Sequence, residues 1–267
     1  MRQFAILVAF IGITQGAAAQ SCKQPFEATV GYQLSIPMGS MTPHMAPVHA
    51  FRLNWLYSIP ATRGLFAVGA ELTTGTYASF TETRNFGSGS SVAPMDVRYT
   101  SSVTMGSLLG RINFLQTESV EAFVGMKGGI AYFSSDVQIE HSSNSGGCSP
   151  VDTKSLLNDA TWQAGAYGGA NIDLNVFHNG IPANRTYLQV HIGATRGGRV
   201  DYINVKNRQS ASAVQSGGTS NSGSDGRSLE MRFVDMQTGQ QHSHEVARVY
   251  NDPVRFMDAG VGVVFKF

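Results

Sequence analysis

Apolar and polar residues alternate with a period of two along seven separate stretches of the chain and again at its carboxyl end. Successive side chains of a β-strand point to opposite faces, so each stretch predicts a strand with one apolar and one polar face. Together the stretches predict about eight strands. The clearest of them sets Trp162, Ala164, Ala166, Ala170 and Ile172 against Thr161, Gln163, Tyr167, Asn171 and Asp173.

The connections between the predicted strands alternate between long and short. The long ones fall near residues 37–47, 81–94, 134–158 and 197–252, and the short ones are PATRG, QTES and HNGIPANR. Transmembrane barrels have short periplasmic turns and longer outer loops. The expected fold is therefore all-β: an antiparallel up-and-down transmembrane β-barrel of about eight strands, with long extracellular loops and periplasmic termini.

Two soluble folds show the same alternation with the apolar face inside, namely β-sandwiches and lipocalin-type barrels. Sandwiches have no reason to sort their connections by length, so lipocalins are the closer alternative. Aromatic residues near the ends of the predicted strands favour the membrane, because they suit the girdles at its two interfaces. These residues are Phe26, Trp55, Tyr57, Trp162 and Phe267.

Residues 1–19 have the features of a secretory signal peptide. Arg2 precedes an apolar run from Phe4 to Ile13, and small residues ending at Ala19 form the cleavage site. We expect residues 20–267 to be the barrel domain, exported to the outer membrane. Its outer loop 197–252 contains a Ser/Gly-rich stretch and a hairpin predicted at 229–250.

Composition narrows the function classes. Charged residues make up 14% of the chain and the formal net charge is +1, so no strong field indicates a nucleic-acid partner. No segment after the signal peptide approaches the ~20 uninterrupted apolar residues of a transmembrane helix. These features disfavour a nucleic-acid-binding protein and a helical membrane protein.

The last eight residues, GVGVVFKF, have one apolar face and end on an aromatic residue. With the alternation and the sorted loops, the chain resembles the small outer-membrane β-barrels of Gram-negative bacteria, of the OmpA/OmpX type and its Bacteroidetes porin-family relatives. The resemblance implies outer-membrane lipid and lipopolysaccharide as surroundings, and recognition by the barrel-assembly machinery. The residues that would carry this assembly signal are Val261, Val263, Phe265 and Phe267.

Charged residues on the polar faces are expected to point into the lumen. An eight-stranded barrel is just wide enough for its own side chains, and buried charges of opposite sign should pair. Two interpretations remain open at this point: a salt-bridged plug that makes the barrel rigid, or a narrow permeation path. The lumenal charges are Arg52, Glu71, Arg111, Glu121, Lys127, Asp173, Asp258 and Lys266.

No metal or other cofactor is expected. His242, His244 and Glu245 lie close together, but no further ligand is fixed by the spacing. The two cysteines, Cys22 and Cys148, fall on opposite sides of the predicted membrane, too far apart for a disulfide.

One motif suggests an enzyme. HSSNSG, from His141 to Gly146, resembles the H-x-S-N-x-G motif of outer-membrane lipid A 3-O-deacylases, which implies His141 as base and Ser143 as nucleophile. The glutamate that this family places shortly after the motif is absent, since none follows before Glu230. The sequence therefore favours a non-enzymatic outer-membrane barrel whose outer loops bind an unidentified protein or surface ligand. A narrow diffusion pore is the first alternative and a deacylase the second.

Overall fold

The computed structural model describes residues 24–62, 64–86, 93–117, 119–141, 152–176, 186–203, 227–234 and 241–267. Within them are nine β-strands and three short 3-10 turns, at Gly39–Met41, Pro60–Thr62 and Leu174–Val176. The strands are β1 (Phe26–Pro37), β2 (Val48–Ser58), β3 (Phe66–Phe86), β4 (Ala93–Gln116), β5 (Val120–His141), β6 (Asp152–Asp173), β7 (Thr186–Ile203), β8 (Arg227–Val234) and β9 (Gln241–Lys266).

Eight of these strands form a closed antiparallel barrel, which confirms the predicted fold. Each strand from β1 to β7 pairs with the next, β7 pairs with β9, and β9 returns to pair with β1. At this closing seam Ala28 lies opposite Phe265 and Val30 opposite Val263. Because the two ends of the sheet pair with each other, the barrel wall has no free edge along this seam.

The ninth strand, β8, pairs with the amino-terminal part of β9. Arg227 lies opposite Val249 on this side, while Ile203 of β7 lies opposite Val249 on the other. Strand β8 therefore occupies the same edge of β9 as β1 does, but farther from the chain termini. The structure places residues 197–203 and 241–252 in strands, so the non-strand part of the predicted 197–252 loop is shorter than the sequence suggested.

In the half of the barrel nearer the termini, the outward side chains are mainly apolar and the inward side chains mainly polar, apart from one small buried cluster of Leu56, Ala67, Leu109, Phe123 and Tyr167. In β1, Glu27, Thr29, Gln33 and Ser35 are buried inside, whereas the apolar residues that alternate with them, such as Val30 and Tyr32, face out. The outward positions form a belt of exposed large apolar side chains around the barrel. Among its members are Phe26, Val30, Tyr32, Phe51, Val68, Leu72, Leu108, Ile112, Val124, Met126, Ile130, Trp162, Val190, Ile192, Met257, Val261 and Phe265.

In the other half the arrangement is reversed. Strands β3 to β6 have 21 to 24 residues, about twice the 9–11 that cross a bilayer. Beyond the belt, β4 buries Val97, Tyr99 and Val103 inside and exposes Arg98 outside. The inner face is therefore apolar here and the outer face polar, as in a soluble barrel.

This reversal explains why residues 81–94 and 134–158 looked like loops in the sequence. The strands continue through most of both segments, with pairs such as Thr83 with Asp96 and Gln138 with Thr153. Register shifts near Thr76 and Ser135 interrupt the two-residue period. The apolar residues also move from the outer to the inner face at these points. A prediction that follows apolar residues along one face therefore ends each strand too early.

Two glycines on β4 and β5 show how tightly the lumen is packed. A Cβ on Gly125 would lie 2.5 Å from the carbonyl oxygen of Gly110 and 2.6 Å from a ring carbon of Tyr167. A Cβ on Gly110, which faces outward, would meet nothing within 4 Å. The ring of Tyr167 thus occupies the space that the absent side chain of Gly125 provides.

We therefore expect Gly125→Ala to destabilise the barrel by about 1–3 kcal/mol, because the added methyl group overpacks the lumen. Gly110→Ala is the matched control and should change the free energy of unfolding much less. Urea unfolding of the detergent-refolded barrels, followed by tryptophan fluorescence, measures both values. Equal stability of the two variants would contradict this account of the packing.

Candidate functional site

The lumen beside the apolar belt contains a network of buried ion pairs centred on Glu71. Its two carboxylate oxygens accept from Arg52 Nε at 2.5 Å and from Lys127 Nζ at 3.2 Å. The same ammonium group donates to Asp258 Oδ2 at 3.2 Å. These side chains come from β2, β3, β5 and β9, so the network crosses the barrel and links opposite walls.

Neutral polar groups complete the network. Thr195 and Ser35 donate to the two oxygens of Asp258 at 2.8 and 2.7 Å. Arg52 Nη1 donates to Gln189 Oε1 at 2.8 Å, which connects β2 to β7. Both side chains of the Arg52–Glu71 pair are at most 4% exposed, so the pair is nearly dry. Such charges need nearly complete hydrogen bonding to be tolerated.

A second pair lies nearer the termini. Arg111 donates through Nη1 and Nη2 to the two carboxylate oxygens of Glu27, both at 2.6 Å. This bidentate geometry is the strongest form of a guanidinium–carboxylate contact. The guanidinium carbon also lies 5.0 Å from the ring centroid of Phe123. The pair joins β4 to β1 across the lumen.

The third group lies at the end of the barrel that carries the short turns. Lys266 donates to Glu121, and its ammonium nitrogen lies 4.4 Å from the ring centroid of Tyr187. Asp173 is buried and accepts from the backbone nitrogen of Asn175 at 2.8 Å. The Lys266 and Glu121 side chains are 14% and 17% exposed, so this end is wetter than the Glu71 network.

The opposite end of the lumen is filled by an apolar plug. We use this name for the buried cluster Met41, Met45, Val48, Ala50, Tyr77, Ala78, Val97, Tyr99, Val103, Met105, Ala131, Phe133, Val137, Val200, Tyr202, Ile203, Val249, Tyr250, Val254 and Phe256. Phe133 and Tyr202 lie at its centre, with ring centroids 6.4 Å apart and no more than 1% of either residue exposed. Between the ion network and the outer hairpins the lumen is therefore packed with side chains.

The connection between β1 and β2 covers the plug. It inserts Met41, which is fully buried, and it stacks His44 on Tyr250 with ring centroids 4.0 Å apart. The backbone nitrogen of Met38 donates to the carbonyl oxygen of Arg255 at 2.9 Å and fixes this connection to β9. Tyr202 donates to Asp252 at 2.8 Å, and burial raises the pKa of this phenol, which therefore stays a donor.

The structure places all eight charged residues predicted for the lumen on the inner face of the wall. It also adds one that the predicted set left out, Glu27, the partner of Arg111. Glu27 lies on the polar face of its stretch, so the alternation alone could have included it. Val261, Val263, Phe265 and Phe267 lie on the outer face or just past the end of β9. Their role in assembly stays a prediction.

Several sequence-based candidates fall outside the described residues. These are the signal peptide, both cysteines, Ser143 and the turn at Thr238 and Gly239. His141 ends β5, and for His242, His244 and Glu245 only the strand backbone is described.

In the part of the chain that the structure describes, no three metal-ligating side chains come together. The same residues include no helix with the length and apolar character needed to cross a membrane.

Three solved structures are similar to this chain over most of their length. Neisserial surface protein A (NspA) has 11% identity and a TM-score of 0.38, covering 91% of this chain and 96% of that one. Ail, the attachment invasion locus protein of Yersinia pestis, has 10% identity and a TM-score of 0.36, covering 92% of this chain and 99% of that one. The structure of Ail in complex with the heparin analogue sucrose octasulfate has 7% identity and a TM-score of 0.33, covering 91% of this chain and 97% of that one.

No protein-family model matches the chain, and no curated protein sequence matches it significantly. The barrel is established by the strand pairings of this chain itself. Its strand order is that of the antiparallel up-and-down barrel expected from the sequence.

The ion network predicts which charge matters most for stability. Glu71→Gln should cost about 3–5 kcal/mol, because it leaves the buried Arg52 without a carboxylate and removes one of the two carboxylates from Lys127. Glu121→Gln removes the same charge from the more exposed pair with Lys266 and should cost less. Urea unfolding at neutral pH compares the two variants. A Glu71→Gln barrel as stable as the Glu121→Gln barrel would show that the network contributes little.

Proposed function

We propose that this chain is an integral β-barrel of the bacterial outer membrane, sealed against diffusion, that acts as a structural or surface-interaction protein and not as an enzyme. The observation that carries the proposal is the belt of exposed apolar side chains around a lumen filled with ion pairs. A soluble barrel of this size would place its apolar face inside along its whole length. Only a hydrocarbon environment makes the observed belt favourable.

The reversal of faces supports the position in the membrane. The belt covers the half of the barrel near the termini and the short turns, whereas the half with the long hairpins is polar outside. This polar half fits an aqueous environment. With the long hairpins outside the cell, both termini lie on the periplasmic side, in line with the signal peptide predicted from the sequence.

The long hairpins are the surface available to a partner. Strand β8 and the first part of β9 extend the wall beyond the level at which β1 ends. The Ser/Gly-rich segment between β7 and β8 has few apolar residues with which to form a core of its own. We assign the binding of an unidentified protein or surface ligand to this region. Lipid and lipopolysaccharide contact the belt, and the barrel-assembly machinery inserts the chain.

The plug argues against a diffusion pore. Phe133, Tyr202 and Phe256 are each at most 1% exposed, which leaves no wet path past them in the described part of the lumen. We therefore expect no stepwise conductance when the purified barrel is inserted into a planar lipid bilayer at neutral pH. Reproducible single-channel steps from heat-modifiable, folded protein would instead support the pore.

The membrane position is tested by an outward-facing residue of β6. Ala166 lies opposite Met126 and Ala194, within the belt. Ala166→Arg should destabilise the barrel in lipid vesicles by about 2–4 kcal/mol if the residue lies near the bilayer midplane. Asn158→Arg, on the same face of the same strand but beyond the belt, is the matched control and should have little effect.

Both variants are measured by urea unfolding from vesicles, and the wild-type protein is located by fractionation of the cell envelope. A harmless Ala166→Arg, or a wild-type protein found among the soluble fractions, would overturn the assignment to the membrane.

A further inference from the structure

Two arginines face each other on the outside of the barrel, at the edge of the apolar belt. Arg196 of β7 and Arg255 of β9 are directly opposite in the strand register, and both are exposed. On β9 the outward residues from Phe265 to Met257 are all apolar, and Arg255 is the first outward position beyond them. Arg196 holds the same place on β7, after Leu188, Val190, Ile192 and Ala194.

Neither arginine forms an ion pair with any described residue. The nearby carboxylates have other partners: Asp201 accepts from Asn251, Asp252 accepts from Tyr202, and Asp159 accepts from two backbone nitrogens. A third exposed arginine, Arg199, follows on β7 opposite Pro253. Like charges directly opposite on adjacent strands destabilise a sheet, so this arrangement has a cost that an anion would remove.

The surface below the pair is apolar. Ala194 lies opposite Met257, and Ile192 lies opposite Ala259, so a lane of apolar side chains runs from the arginines toward the middle of the belt. On the β6 side Arg196 lies opposite Ala164, whose small side chain leaves the guanidinium group accessible. The site thus places cations directly above a surface suited to hydrocarbon chains.

We infer that Arg196 and Arg255 bind a phosphate group of lipopolysaccharide while its acyl chains lie along the apolar lane. Guanidinium groups bind phosphate through paired hydrogen bonds, and these two arginines start from paired positions on adjacent strands, with the Arg255 side chain lying over Gly39. The inference rests on the proposed membrane orientation, since the long-hairpin end then faces the outer leaflet. A free phosphate ion has the same anionic chemistry as the headgroup but has no acyl chains to contact the apolar lane.

Binding can be measured on the full-length mature barrel in detergent micelles, by native mass spectrometry during titration with bisphosphorylated lipid A. We expect the double variant Arg196→Gln with Arg255→Gln to bind roughly thirtyfold more weakly, because two cations that contact the phosphate are lost. Arg98→Gln is the matched control: Arg98 is an exposed arginine on the outer face of β4, away from the site, and its loss should leave the affinity unchanged.

Two further ligands separate the sources of the phosphate. Lipid A without phosphates should bind the wild-type barrel about as weakly as bisphosphorylated lipid A binds the double variant. The double variant should bind both lipids with the same affinity. Inorganic phosphate at millimolar concentration should fail to displace lipid A. Full displacement would reduce the site to one for simple anions and overturn the inference. So would a double variant with wild-type affinity, or an equal loss in Arg98→Gln.

These outcomes are independent of the membrane assignment. Binding in micelles requires only a folded barrel, which heat-modifiable migration on a gel verifies for every variant. If fractionation finds the protein outside the membrane, the proposed function fails whatever the titration shows. If the barrel is in the outer membrane and the double variant still binds lipid A normally, only the assignment of these arginines fails.

Discussion

The structure depends on one constraint: the apolar face of each long strand changes sides partway along the barrel. In β4, Leu108 and Ile112 point outward in the belt, whereas Val97, Tyr99 and Val103 point inward in the plug. A single continuous wall can do this because a two-residue period lets either face be apolar at any point along the strand. The wall is thereby matched to hydrocarbon over one half and to water over the other.

This division also decides what fills the lumen. Beside the belt most inward positions are polar, apart from a small buried cluster that includes Leu56, Leu109 and Phe123. The inward charges there have no bulk water to solvate them. Glu71 pairs with Arg52 and with Lys127, and Lys127 also pairs with Asp258. Glu27 pairs with Arg111. Each pair joins separate parts of the wall, so the network that satisfies the charges also holds the barrel in shape. Beyond the belt the inward positions are apolar and close the lumen by ordinary packing.

At the border between the two halves, the apolar belt meets the polar outer surface. The exterior arginines Arg196 and Arg255 lie at this border. Arg196 and Arg255 have no described carboxylate partner, although Asp201, Asp159 and Asp252 are nearby on the same strands or the next one. Two cations at paired strand positions on the edge of an apolar surface suit an amphiphile with an anionic head. The filled lumen and this exterior pair are the features on which the proposed role of the outer surface rests.

The sequence by itself determined the barrel and its approximate strand number, because alternation along a strand is a local property. It did not determine which charges pair: Glu27 meets Arg111 across the lumen, and Lys127 lies between Glu71 and Asp258, contacts between residues far apart in the chain. It also missed the plug, since inward residues such as Val137 and Tyr202 lie in segments that the sequence predicted as loops. Only the closed tertiary structure brings these side chains together, because the environment of a strand face is set by what lies across the barrel and around it, not by its own neighbours in sequence.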